Sequence, residues 1–208
     1  MIWLDRVAIL LDGEYVKKSL AQRSRRFPTH TEVMAEVGRM LEHPALAGLS
    51  LYRIFYYTAE PLTGTAVHPL DGSTTDFSRT PAFIRNRRLI DRIENEPDVA
   101  VRRGTLVHQG WEIGHAAARA LTGGQKSTII PQDIVPKIQQ KGVDMRIGLD
   151  IASLAIKRLV SAIVVVSSDS DLVPAMKPAR REGLRVYLDT LGGTHVRSEL
   201  KIHADRVL

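Results

Sequence analysis

The 208-residue chain contains no cysteine. That absence excludes a disulfide scaffold and any thiolate zinc site, and it fits a reducing compartment. The chain also lacks an uninterrupted run of about 18 apolar residues, the length a membrane-spanning helix needs. Its opening, MIWLDRVAILLDGE, carries charge at Asp5, Arg6 and Asp12, unlike a secretory signal. A cytoplasmic protein without a membrane partner is therefore expected. No internal repeat is visible. The stretch TGGQKS (122–127) lacks the G-x-x-x-x-G-K-[ST] spacing of a phosphate loop, which argues against nucleotide binding. Glu112 and His115 are spaced as a helical metal pair, but no third ligand stands at a recognisable spacing.

What is present is an ordinary globular composition, 44% hydrophobic and 25% charged. It is enough for one domain over 1–208 with a sizeable core. Lysine and arginine number 29 against 23 acidic residues, a net charge of +6, which favours polyanionic partners. The densest cationic stretch is KKSLAQRSRR, Lys17 to Arg26, with five positive charges and no acid. It reads either as a solvated basic face or as a contact for a phosphate backbone. Arg85, Arg87, Arg88, Arg102 and Arg103 are further cationic candidates, and Tyr15, Phe27 and Trp111 are candidate stacking platforms whose commoner role is packing.

The unbroken apolar run VAILL (7–11) ends at Asp12-Gly13, as a strand buried on both faces does. Residues 29–43 carry Val33, Met34, Val37, Met40 and Leu41 at helical spacing behind threonine caps. Further strands are expected at 49–59, 99–107, 162–168 and 184–190. Helices are expected at 82–95, 144–160 and 172–183, the last with an awkward Pro178. Segments 60–81 and 108–140 are rich in turn residues or broken by Gly and Pro. They read as a long loop and a mobile excursion. Strands alternating with helices predict an α/β fold with a mainly parallel sheet, whose ligands sit beyond the carboxyl ends of the strands.

Five aspartates stand near expected strand ends or helix starts: Asp12, Asp144, Asp150, Asp169 and Asp171. Each alone has a plain explanation as a turn, cap or solvated residue. Converging together they would repel, and a divalent cation with oxygen ligands would offset that repulsion. Asp144 and Asp150 lie six residues apart, about 240° around a regular helix, so they cannot both point one way from its middle.

The segments VAILLDGEYV, QKGVDMRIGLDIASLA, VVVSSDSDLVPAMKPARREGLRVYL and LKIHADRVL resemble the NYN domain, and more closely its bacterial LabA-like branch, within the PIN-like nuclease superfamily. The resemblance spans about residues 6–207, with little of it in 61–80 and 108–138. It implies a Rossmann-like, PIN-type α/β/α sandwich and a divalent-metal ribonuclease acting on phosphodiester bonds. The implied partner is single-stranded RNA, with DNA and self-association left open. On that resemblance Asp12, Asp144, Asp150, Asp169 and Asp171 form the catalytic set, and Asp12, Asp150 and Asp169 hold Mg²⁺ or Mn²⁺. Lys17, Lys18, Arg23, Arg25, Arg26, Lys141 and Ser168 meet the substrate. Tyr15 stands where the family often has asparagine, and Ser168 where it usually has glycine. The first departure supports the alternative of a weak or inactive RNA-binding module. A Toprim-type or dehalogenase-type enzyme fits less well, because Glu14 and the residues after Asp12 do not match their motifs.

Overall fold

The computed structural model describes residues 5–193 and 197–208. The chain begins with β1 (Arg6–Asp12), α1 (Gly13–Ser24), α2 (His30–Leu41) and β2 (Ser50–Glu60). Then come β3 (Thr65–Val67), β4 (Thr74–Asp76), α3 (Pro81–Glu94), β5 (Val99–Ile113), α4 (His115–Thr122) and β6 (Ile134–Lys141). The last part contains α5 (Val143–Ile156), β7 (Ala162–Val166), α6 (Val173–Arg181), β8 (Arg185–Asp189), α7 (Ser198–His203) and β9 (Arg206–Val207). Seven strands form one sheet in the order β6-β5-β2-β1-β7-β8-β9. The pairs β1–β2, β1–β7, β7–β8 and β8–β9 are parallel, and β5–β6 is antiparallel.

The chain divides into two compact units. The first comprises Met1–Thr58, Arg88–Gly104 and Gly142–Leu208 and holds the parallel strands. β1 lies inside its sheet, with β2 and β7 on either side, and Val7 through Leu11 are no more than 1% exposed. This explains why the run is apolar without alternation: both faces of the strand are covered. Val7, Ile9 and Leu11 join Ala162, Val164 and Val166 in a core with Val16 and Leu20 of α1, Val33, Val37 and Met40 of α2, and Leu89 and Ile93 of α3. The alternate residues Ala8, Leu10, Ile163 and Val165 are equally buried, and α5 and α6 pack together and contribute Ile147, Ile151, Leu154 and Met176 to the interior. Each such aliphatic side chain contributes roughly 1.5–3 kcal/mol on burial. The result is the mixed α/β sandwich expected, with the sheet between helices.

The second unit comprises Ala59–Arg87 and Thr105–Lys141. Its secondary structure corrects the sequence reading. Residues 60–81 contain the β3–β4 hairpin, and 108–140 contain the end of β5, α4 and β6. The second half of β5 pairs with β6 from Thr105↔Lys141 to Ile113↔Ile134. Pro136 lies opposite Trp111, beside a register shift at His108/Trp111, on the outermost strand of the sheet, where a proline is tolerated. Short strands, a bulge and prolines erase the period-2 signal on which a strand is recognised. Trp111 sets its ring edge-on to His68 and His108 in this unit, so it serves packing there. Glu112 lies in β5 and His115 opens α4, so the two do not share a helix. Among the described residues, no helix is long and apolar enough to cross a membrane.

Candidate active site

Asp12 is the last residue of β1 and the N-cap of α1. One oxygen, Oδ1, accepts from the N–H groups of Glu14 and Tyr15 at 3.1 and 3.2 Å. The strand therefore turns directly into a helix, with the carboxylate held at the positive end of the helix dipole. The turn requires Gly13. A β-carbon there would lie 2.6 Å from the Tyr57 carbonyl oxygen and 2.8 Å from the Tyr56 ring. The motif Asp-Gly is thus a packing necessity at the point where β1, β2 and α1 meet.

The other oxygen of Asp12, Oδ2, accepts from the hydroxyl of Ser167 at 3.0 Å. Ser167 follows β7, the parallel neighbour of β1, and is 1% exposed. Its hydroxyl oxygen also accepts from the N–H of Asp169 at 3.1 Å. Asp169 in turn caps a single 3-10 turn (Ser170–Leu172) by accepting from the Asp171 N–H at 3.0 Å. One buried hydroxyl thus ties the two acidic strand ends together. Sequence reasoning singled out Ser168, which is exposed, and passed over Ser167. The available signal was the position of Ser167 directly after an apolar strand, where a buried polar group needs a partner.

Asp144 lies in the first turn of α5, which starts after Gly142 in a left-handed conformation (φ 76°). Its carboxyl is held above the usual range by partial burial, then by the charges of Asp169, Asp12 and Asp171. Burial also raises Asp12, against the three hydrogen bonds that favour its charged form. Asp12, Asp169 and Asp171, at the carboxyl ends of β1 and β7, therefore all lie within electrostatic range of Asp144.

Asp150 is placed differently. Its Oδ2 accepts from the Tyr57 hydroxyl at 2.9 Å and from Arg102 Nε at 3.0 Å. The Arg102 guanidinium also lies 5.3 Å from the centre of the Phe55 ring. Burial and the Asp150 charge push the Tyr57 hydroxyl far up, so it remains a donor. The six-residue offset along α5 thus sends Asp144 toward the other aspartates and Asp150 toward a cation.

The cationic stretch is largely offset by Glu14 one turn earlier on α1 and by Glu32 and Glu36 of α2. Lys17 and Lys18 pair with Glu14 at 3.0 and 3.5 Å, Arg23 with Glu36, and Arg26 with Glu32 at 2.7 Å. Arg25 is the exposed, left-handed C-cap of α1. Lys141 ends β6 in the second unit. Tyr15 packs against the core and donates its hydroxyl to the Thr190 carbonyl at 2.8 Å, so it holds the end of β8. Phe27 also packs against the core.

Among the described residues, no three histidine, aspartate or glutamate side chains are gathered closely enough to form a direct metal cage. The donor set nevertheless suits a hard cation. Asp12, Asp144, Asp169 and Asp171 offer only oxygen, and the first two are raised in a way that a positive charge would relieve. Mg²⁺ commonly keeps several waters and takes only one or two carboxylates directly.

A layered α/β fold with acids at the carboxyl ends of neighbouring parallel strands fits the PIN-like class. The NYN domain profile matches residues 6–208, and the chain belongs to the NYN domain family, within the PIN-like nuclease superfamily, whose domains act on nucleic acid. A crystal structure of a protein of unknown function from Vibrio parahaemolyticus is similar at 14% identity and a TM-score of 0.49, covering 100% of this chain and 94% of that one. No curated protein matches the sequence significantly.

Proposed function

We propose that the protein is a divalent-metal-dependent ribonuclease that hydrolyses phosphodiester bonds of single-stranded RNA. The observation that carries this reading is the Asp12–Ser167–Asp169 connection, which holds two acidic strand ends together beside Asp144 and Asp171. Asp12, Asp169 and Asp144 would hold Mg²⁺ or Mn²⁺, directly or through water, with Asp171 at the rim. When bound, the ion would activate water and offset charge on the phosphoryl oxygens. The chain's own groups position the acids. The α1 N-terminus keeps Asp12 oriented, Ser167 fixes its second oxygen, and the 3-10 turn sets the spacing of Asp169 and Asp171. Asp150, neutralised by Arg102, would shape the wall rather than bind the ion. Membership of the LabA-like branch belongs to the same reading and is supported by the KGVD and SDSDL blocks. A cytoplasmic setting accompanies it.

A specific observation supports a second reading, a catalytically weak RNA-binding module. Tyr15 replaces the family's asparagine and is committed to Thr190. One experiment separates the two: a labelled single-stranded RNA is incubated with Mg²⁺, Mn²⁺ or EDTA, using wild type beside Asp169→Asn. Metal-dependent cleavage lost in the variant supports the nuclease. RNA that is bound but left intact with either metal supports the binding module.

A further inference from the structure

The five cations of Lys17–Arg26 are the obvious place to bind RNA, yet four of them already face carboxylates. The opposite holds at the far end of α6. There an open groove with a volume of about 560 Å³ is lined by Lys177, Arg180, Arg181, Arg185, His203 and Asp205. Its single carboxylate is engaged. Asp205 Oδ1 accepts from Arg180 Nε at 2.9 Å, and Oδ2 accepts from the Val186 N–H at 2.7 Å, clipping the start of β9 to β8. Lys177, Arg181 and Arg185 are exposed and have no ion-pair partner among the described residues. Three like charges around one concavity repel each other, and an anion would relieve that repulsion.

The chemistry of the lining narrows the ligand. Arginine forks and an ammonium suit phosphate oxygens. No phenylalanine, tyrosine or tryptophan lines the groove, and the His203 imidazole is the one ring there, so the lining is built for charge more than for stacking a base. What it can hold is a phosphate backbone, without regard to sequence.

Its position gives that binding a use. Arg185 opens β8 and Asp169 follows β7, so the groove and the acidic site lie at opposite ends of two paired parallel strands. α6 links them, starting directly after the 3-10 turn that carries Asp171 and ending at Arg181. Its nine residues span about 14 Å. Lys177 lies between the two ends, and Arg197 Nη1 donates to Ser170 Oγ at 2.9 Å at the acidic end.

We propose that this groove is a second phosphate-binding site, which grips the backbone of a single-stranded RNA several nucleotides away from the acidic site. The choice of RNA rests on the nuclease reading, whereas the affinity for phosphate does not. The test is binding of labelled single-stranded RNAs of graded length to the full chain in EDTA, followed by anisotropy across a salt series. Wild type is compared with Lys177→Gln/Arg181→Gln/Arg185→Gln and with the single variants Arg181→Gln and Arg185→Gln, all checked for unchanged thermal midpoints.

Longer RNAs are expected to lose affinity, with the log–log salt slope falling by about 0.7 per contact removed. RNAs too short to leave the acidic site are expected to bind all three variants like wild type. An unchanged slope with long RNA overturns the proposal, and so does an equal loss at every length. A third overturning result is tripolyphosphate binding that the triple variant loses while RNA binding is retained, which would mark a small-anion site. Cleavage of the shortest RNA with Mn²⁺, measured in parallel, reports on the nuclease reading separately.

Discussion

The hydroxyl of Ser167 donates to Asp12 Oδ2 at 3.0 Å, and the same oxygen accepts the N–H of Asp169 at 3.1 Å. Two acids that lie 157 positions apart in the chain are thereby positioned by one buried atom. Replacing Ser167 with alanine leaves the Asp169 N–H and one Asp12 oxygen without that partner, at a cost of roughly 1–3 kcal/mol. RNA cleavage by Ser167→Ala is expected to fall on the order of 10-fold or more, as when a group orienting a metal ligand is lost. Urea unfolding and cleavage kinetics measure the two effects, and unchanged kinetics would remove Ser167 from the site.

Asp144 sits where burial and neighbouring acids oppose its ionisation. Its carboxyl is raised above the ordinary 3.8 by burial and by three other aspartates, and Asp12 is raised by burial. In both cases the folded chain holds its proton to higher pH than the unfolded chain. The stability these groups contribute is therefore present below 3.8 and is lost as pH rises through the raised values. Asp144→Asn is expected to raise the metal-free thermal midpoint near neutral pH while abolishing cleavage. The gain should shrink as the buffer is made acidic. A midpoint that falls at neutral pH would contradict the repulsion. Metal-dependent cleavage should also decline in acid sooner than an ordinary carboxylate would dictate.

Asp150 and Asp169 can be told apart by metal binding. Asp150 is held by Tyr57 and Arg102, while Asp169 is not held by a cation among the described residues. Mn²⁺ is expected to raise the thermal midpoint of wild type and of Asp150→Asn by similar amounts, and that of Asp169→Asn far less. If Asp150→Asn loses the Mn²⁺ effect as fully as Asp169→Asn does, Asp150 is a ligand and the Arg102 pair must open to release it.

Tyr15 is expected to matter for folding before it matters for chemistry. Tyr15→Phe removes the hydrogen bond to the Thr190 carbonyl and should cost about 1 kcal/mol. Tyr15→Asn, which introduces the residue common in the family, also removes the ring that packs against the core and should cost more. Equal midpoints for wild type and Tyr15→Phe would show that the hydroxyl bond contributes nothing.

Local signals made most of the first unit legible. VAILL and AIVVV read as buried strands because each is five consecutive apolar residues closed by Asp-Gly or Ser-Ser-Asp. The threonines announced the start of α2, and Thr29 does cap it, in a reciprocal capping box with Glu32. The acids at the strand ends followed from the same patterns, because a parallel sheet places those ends on one edge. The second unit was not legible, since its strands pair through a bulge at His108/Trp111 and its hairpin strands are three residues each. Elements that short are selected by tertiary pairing and carry little period of their own.

The amino-acid sequence by itself determined the buried strands of the first unit, the approximate starts of α2, α3, α5 and α6, the five aspartates and the surplus of positive charge. Only the tertiary structure decided which charges keep that surplus. It set Glu32 and Glu36 of α2 against Arg26 and Arg23 and left Lys177, Arg181 and Arg185 together around a groove. It also separated Asp150 from Asp144 and joined Asp12 to Asp169 through Ser167. Electrostatic interaction depends on distance in space, and the distance between residues far apart in a chain is set by how the sheet and helices pack.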